Sequence, residues 1–329
     1  MFETEKKVAE QAVLAAMGMT KLIQQELSFG DAITKADKSP VTIADFASQA
    51  IICRILHREF PHLPIVAEED SAALKRPENR EILEKIVAYI DRDAEIRTFL
   101  NRDNLFESID LGCQSPNQTF WTLDPIDGTK GFLRGEQFAL ALALIVEGSV
   151  KLGILGCPNL TSAESRKKSG CLVSAVQGEG AAVRDIHSGQ SRPARVSGIT
   201  DPLRMRFVES YVSAHSNQEM QGRIAEILHI AAQPVQMDSQ VKYGLVAAGR
   251  AEIYLRIPHP KTPDYKEKIW DHAAGSLIVE EAGGLVTDIL GEKLDFNAGE
   301  KLQHNTGILA AIPAIHPRVI DTIQQLRNS

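Results

Sequence analysis

WTLDPIDGTKGF, residues Trp121–Phe132, runs an apolar, strand-forming segment into two carboxylates, Asp124 and Asp127, set around Pro125 and followed by Gly128 and Thr129. Leu123 closes a strand, Pro125 fixes the backbone just after Asp124, and Gly128 permits the tight turn that opens a helix at Thr129. Both acids then sit on one turn. Like charges held this close raise a pKa or recruit a cation, and hard oxygen ligands suit Mg2+ better than zinc or copper. The amides of Gly128, Thr129 and Lys130, at the positive end of the helix, offer a place for a phosphate. The same two aspartates also read as caps of a turn and a helix, a common use of this residue.

Working outward, Val8, Ala12, Ala15, Met19, Leu22 and Ile23 recur at helical spacing and predict a long amphipathic helix from Glu3 to Leu27. A second helix is predicted in VTIADFASQAIICRILHREF, where Thr42 and Asp45 are spaced as a capping box that explains Asp45 without any chemistry. LPIVAEED predicts a short buried strand ending in Glu68, Glu69 and Asp70, which form either a solvated loop or acids aimed from a strand end into a cleft. Residues 71–117 are polar and mostly helical, EILEKIVAYI most clearly. QFALALALIVEGSVKLGIL predicts a hairpin turning at Gly148–Ser149, and CLVSAVQGEGAAV a second strand pair. The G-E-G there lacks the third glycine and the following helix of a dinucleotide loop.

RPARVSGITDP marks a junction that divides an α+β domain, 1–195, from an α/β domain, 196–329, with a groove between them. Beyond it the strands RMRFVESYV and AEIYLRIP alternate with the helices MQGRIAEILHIAA and DHAAGSLIVEEAGG. Asp271 opens the last of these and reads as its N-cap.

A chain of 329 residues exceeds the roughly 100–200 residues of a typical single core, which favours two domains or one large layered sandwich. With 36 Lys and Arg against 43 Asp and Glu, the net charge is −7. No broad cationic field exists to hold nucleic acid or a membrane surface, so an anionic ligand needs local help. Cys53, Cys113, Cys157 and Cys171 are scattered without paired spacing, which indicates neither a disulfide framework nor a zinc knuckle and suits a reducing compartment. The charged helical opening and the lack of a long apolar run predict a cytoplasmic protein without a membrane partner. The sequons at Asn117 and Asn159 then carry no meaning.

Taken together, VAEED, WTLDPIDGTKGF and WDHAAGSLIVEEAGG resemble, in order and spacing, the motifs of the inositol monophosphatase superfamily of lithium-sensitive, magnesium-dependent phosphomonoesterases. The resemblance runs from the opening helix to the final one and is weakest over 71–118 and 160–200. It implies a layered αβαβα sandwich of the inositol monophosphatase and fructose-1,6-bisphosphatase type. It places Glu68, Asp124, the Ile126 carbonyl, Asp127 and, from the second domain, Asp271 on the family's ligands for two or three Mg2+ ions, one position also admitting inhibitory Li+. It places Asp45 and Thr129 on the pair that positions and activates the attacking water, and the Gly128 and Thr129 amides against the scissile phosphate.

The wording KSPVTIAD, DSQVKYGL, AEIYLRIP and YKEKIWDHAAG is most similar to the branch of that family that removes the 3'(2')-phosphate of adenosine 3'(2'),5'-bisphosphate, leaving AMP. On that branch His215 in VSAHSN, Ser239 and Lys242 in DSQVK, Arg256 in YLRIP, and Asp271 hold the nucleotide and its second phosphate. Read without the resemblance, His215 is an ordinary loop histidine and Lys242 a solvated helix residue. Two departures stand out: Ala67-Glu68-Glu69-Asp70 replaces the usual Gly-Glu-Glu-Ser, and SPNQTF lacks a Gly-Arg pair. The implied enzyme is a monomer that acts on a small adenosine bisphosphate, and on the 3'-phosphate of 3'-phosphoadenylyl sulfate, by direct attack of water. The alternatives are an inositol polyphosphate 1-phosphatase or inositol monophosphatase, and a catalytically silent nucleotide- or cation-binding protein of the same fold.

Overall fold

The structure, a computed structural model, describes residues 2–26, 32–34, 40–161, 170–211 and 217–328. The opening periodicity becomes α1 (Glu3–Glu26), which buries Val8, Ala12, Val13, Ala16, Met19 and Ile23 on one face. A two-stranded ribbon, β1 (Ala32–Thr34) with β2 (Pro40–Thr42), leads into α2 (Ile43–Glu59). The predicted capping box starts α2: Thr42 Oγ1 accepts from Ala44 N at 3.1 Å, and Asp45 Oδ2 accepts from Thr42 N at 2.8 Å. β3 (Ile65–Ala67) follows, and two helices, α3 (Arg80–Arg92) and α4 (Leu105–Asp110), fill the polar span before the next strand.

β4 (Thr119–Asp127) leads through the short α5 (Thr129–Leu133) to β5 (Ala139–Val146), β6 (Ser149–Cys157), β7 (Cys171–Val176), β8 (Gly180–Asp185) and β9 (Ser191–Ala194). These strands, with β3 first, form a seven-stranded sheet in sequential order; β3 is parallel to β4 and every other pair is antiparallel. The β5–β6 hairpin turns one residue earlier than the sequence predicts. Val146 pairs with Ser149, and Glu147 and Gly148 take φ of 50° and 72°. A two-residue hairpin loop of this twist needs both central residues left-handed, so Ser149 belongs to the strand.

The rest of the chain supplies β10 (Phe207–Glu209), α6 (Gln218–Ile227), β11 (Val235–Gln236), α7 (Val241–Ala247), β12 (Ile253–Arg256), α8 (Ala273–Glu281), β13 (Leu285–Thr287), β14 (Ile308–Ala311) and α9 (His316–Asn328). Five of these form a second sheet in the order β11-β10-β12-β14-β13.

Strand alternation sorts the side chains into layers. Leu140, Leu142 and Leu144 of β5 face α1 and α2, whereas Ala139, Ala141 and Ala143 face the layer of α7 and α8. That middle layer also packs on Val208, Tyr254 and Ala310 of the second sheet, whose other face, with Phe207, Ile253 and Leu309, meets Ile224 of α6 and Val319 of α9. The order is therefore αβαβα, as the resemblance implies. Among the described residues, no helix is long and apolar enough to cross a membrane.

Candidate active site

The two aspartates of the opening stretch lie on a strand, not on a turn after Leu123 as the sequence suggests, and a bulge explains how they meet. Asp124 pairs with Ala141 and Asp127 with Ala139, so three steps along β4 oppose two along β5. In a regular strand, residues three apart point to opposite faces; the extra residue returns Asp127 to the face of Asp124. That face is the one turned toward the middle helices. Ile126 N donates to Asp124 Oδ1 at 3.0 Å, and Thr129 Oγ1 donates to the Ile126 carbonyl at 3.2 Å. Gly128 sits between strand and helix with φ 90° and ψ 40°, a conformation that a side chain opposes.

Glu68 reaches the same place because β3 is parallel to β4: Ala67 pairs with Leu123, and Glu68 N donates to Leu123 O at 3.2 Å. The following loop is held from inside by Gln49, whose Oε1 accepts from Glu69 N at 3.1 Å while Nε2 donates to Ile109 O at 3.0 Å. Asp70 instead caps its own turn, accepting from Ala72 N at 2.7 Å.

Asp271 arrives from the other half of the chain, and its N-cap reading fails. It closes a single 3-10 turn, Ile269–Asp271, and α8 begins beyond His272 with no side-chain cap.

Glu68, Asp127, Gly128, Thr129, Ser239, Lys242, Arg256 and Asp271 all line one cleft of about 850 Å³. Asp45, Asp124 and Ile126 are buried beneath its acidic side. Lys242 is no solvated helix residue: it is 4% exposed, donates from Nζ to Ser210 Oγ at 3.2 Å, and lies 5.2 Å from the centre of the Tyr254 ring. Ser239 accepts from Val241 N at 3.2 Å. His215 lies outside the described residues.

The acids oppose one another's ionisation. Burial first, then the charges of Glu68, Asp127, Asp271 and Asp45, push the Asp124 carboxyl well above the usual range. Burial and the charge of Asp127 do the same to Asp271, with Arg256 working against them. Asp127 is pushed up to about 6 by burial, restrained by Lys242, the Gln240 N–H and Arg256. Burial pulls Lys242 down to about 8 against the attraction of Asp127.

The groups that hold these residues in place carry no sign of that role in the sequence. Gln240 N donates to Asp127 Oδ2, its Nε2 donates to Trp270 O at 2.8 Å, and its Oε1 accepts from Gly275 N at 3.1 Å. Glu267 accepts from Arg256 Nε at 2.7 Å. Glu267 stands inside the quoted YKEKIWDHAAG motif, so its proximity to Asp271 was visible; nothing in the sequence pairs it with Arg256, or Gln49 with Glu69.

The profile described as the inositol monophosphatase family matches residues 4–328. The chain belongs to the inositol monophosphatase family. Within it, the chain is 41% identical over 340 residues to a protein of Oryza sativa named 3'(2'),5'-bisphosphate nucleotidase, covering 98% of this chain and 94% of that one. It is 40% identical over 336 residues to a protein of the same name from Schizosaccharomyces pombe, covering 97% and 95%. Among solved structures, the Thermotoga maritima IMPase superposes with a TM-score of 0.66 at 20% identity over 100% of this chain and 99% of that one, a likeness of fold. Metal dependence is a property of the family.

Proposed function

We propose that this protein hydrolyses the 3'(2')-phosphate of adenosine 3'(2'),5'-bisphosphate to give AMP and phosphate, with Mg2+ at its acid cluster. The observation that carries the reading is the two-sided cleft: mutually repelling carboxylates share one cavity with a buried lysine and a half-buried arginine. A bisphosphate needs both, one phosphate at the acids through cations and the other at fixed positive charge. Full-length relatives that carry the nucleotidase name support the same substrate.

The residues fit a hard divalent ion. Glu68, Asp124, Asp127, Asp271 and the Ile126 carbonyl offer oxygen alone, and the raised proton affinities of Asp124, Asp127 and Asp271, due first to burial and then to neighbouring acids, mark carboxylates that a cation would stabilise in their ionised form. Bound there, Mg2+ supplies Lewis acidity toward phosphate and water. Thr129 and Asp45 would orient the attacking water. The Gly128 and Thr129 amides would face the reacting phosphate, and Lys242 and Arg256, with Ser239, would hold the second phosphate against the acidic net charge of the chain. Two or three ions and a Li+-inhibited position belong to this proposal.

Phosphate release from adenosine 3',5'-bisphosphate, inositol 1,4-bisphosphate and inositol 1-phosphate, with Mg2+ and with added Li+, tests it. The nucleotide should be turned over with the highest kcat/KM, only with Mg2+, and less with Li+. Preference for an inositol phosphate would overturn the substrate assignment, and silence on all three would overturn the catalytic one.

A further inference from the structure

Glu267, Asp271 and His272 bring ligand atoms within 4.8 Å of one another, the arrangement of a three-residue metal site. Two of the three are already committed. Glu267 Oε1 accepts from Arg256 Nε at 2.7 Å, and Glu267 Oε2 lies 3.2 Å from His272 Nε2. His272 Nδ1 in turn lies 2.9 Å from the Tyr243 hydroxyl. With Glu267 ionised, Nε2 carries the imidazole hydrogen and Nδ1 accepts from Tyr243, so one buried chain runs Tyr243, His272, Glu267, Arg256. The segment around Glu267 is held as well: Leu302 N donates to the Glu267 backbone carbonyl at 2.9 Å, and the neighbouring Lys266 side chain donates from Nζ to Asn305 O at 2.8 Å.

We propose that Glu267 is a positioning residue for the second phosphate, holding the Arg256 guanidinium in the cleft and acting on substrate only through it. Arg256 sits at the end of β12, with a side chain 19% exposed, and Glu267 is 5% exposed. A half-buried guanidinium is steadied by a fixed counter-charge, and its planar fork recognises phosphate best when its orientation is set. Both Glu267 oxygens are spoken for, one by Arg256 and one by His272, so the carboxylate is an anchor and not an empty ligand position. Burial alone would raise its pKa, yet Arg256 and His272 hold it down to about 2.

This inference rests on the bisphosphate reading, and its test separates the two. AMP retains the nucleoside and the second phosphate and lacks the reacting one, so its binding without Mg2+ reports on the side of the cleft that holds Arg256, Lys242 and Ser239 and not on the acid cluster. Calorimetric titration of AMP is compared for wild type, Glu267→Gln, Arg256→Lys and the double variant, alongside steady-state kinetics on adenosine 3',5'-bisphosphate. Glu267→Gln should weaken AMP about tenfold or more, with the kinetic loss falling on KM rather than kcat. In the Arg256→Lys background the same change should add less than about twofold. Should Glu267→Gln fail to fold, Glu267→Asp keeps the charge on a shorter arm and should bind AMP with intermediate affinity. AMP binding unchanged in these variants, or losses that simply multiply in the double variant, would overturn the proposal. So would an increased Mg2+ requirement with AMP affinity intact, which would make Glu267 a metal ligand. Failure of the unmutated protein to bind AMP would remove the nucleotide reading and this inference together.

Discussion

The Gln240 backbone amide donates to Asp127 Oδ2, so the residue that opens α7 grips a carboxylate carried by the seven-stranded sheet. The side chain of Gln240 meanwhile ties down both sides of Asp271, through Trp270 O and Gly275 N. One buried residue thus spaces two acids that come from different halves of the chain. Gln240→Ala keeps the backbone bond and removes the other two. Because changes to residues that orient metal ligands typically cost about 10–100-fold in metal affinity, the Mg2+ concentration for half-maximal phosphate release should rise by about tenfold or more. A Mg2+ titration of phosphate release checks this; an unchanged midpoint would show that the acids hold their spacing without Gln240.

Asp124→Asn should have opposite effects on activity and stability. The amide can keep the bond from Ile126 N and has no charge to bury, at a place where burial first and the neighbouring acids second oppose an ionised carboxyl. Phosphate release should fall below about one hundredth of wild type. The metal-free melting temperature should rise by about 2 °C, the shift expected for a gain on the order of 1 kcal/mol in a protein of this size. Scanning calorimetry in chelator tests the second half independently of the first.

The same cluster gives the metal-free protein a definite pH dependence. Asp127 titrates at about 6 in the fold, and Asp124 and Asp271 are also raised, whereas a carboxyl in the unfolded chain titrates near about 4. The native state therefore binds more protons than the unfolded state through this window. Stability from these groups is complete below about pH 4 and is lost as pH rises through about 6 and beyond. In chelator, the melting temperature should fall between about pH 5.5 and 7.5, less steeply in Asp124→Asn, and Mg2+ should restore it at the upper end. An equal slope in both proteins would remove the cluster as the cause.

Lys242 predicts a second limb. Burial lowers its pKa to about 8, so the charge facing the cleft is present below that pH and lost above it. The kcat/KM for adenosine 3',5'-bisphosphate should decline as pH passes about 8, because this ratio reports ionisations of the free enzyme. Lys242→Arg, which stays charged throughout, should move that decline to higher pH.

Gly128→Ala tests the hinge between strand and helix. At φ 90° an added Cβ would also lie 2.9 Å from Ser239 Cβ, across the cleft. The backbone penalty alone is about 1–2 kcal/mol, and the contact would push apart the two walls that hold substrate. Loss of kcat/KM by more than about tenfold, with a melting temperature lower by only a few degrees, is the expected pattern.

Much of the architecture is legible because burial follows period. Leu140, Leu142 and Leu144 alternate with Ala139, Ala141 and Ala143, and the α1 pattern repeats at three and four residues, so strand and helix declare themselves. The acids are legible only in combination: each alone also reads as a cap or a solvated loop, and the resemblance of VAEED, WTLDPIDGTKGF and WDHAAGSLIVEEAGG to one family's motifs joins them. What stayed hidden depends on register and on partners distant in sequence. The bulge between Asp124 and Asp127 exists only relative to β5, and the turn at Glu147–Gly148 is defined by which residues pair across it. Lys242 looks solvated because nothing nearby in sequence shows the layers that close over it. Glu267 and Arg256 lie eleven residues apart, on a loop and a strand end, and no periodicity links them.

The sequential strand order of the first sheet has a consequence during synthesis. Each of its strands pairs with the next one to leave the ribosome, so Glu68, Asp124 and Asp127 can be assembled before Lys242, Arg256 or Asp271 has been translated. Until then the alanine-rich face of that sheet has no helices to cover it, and the acids have no opposing charge. A chain held at that stage would be sticky on one face and without the opposing charges, and α7, which brings Lys242, and then α8 would cover that face as they arrive.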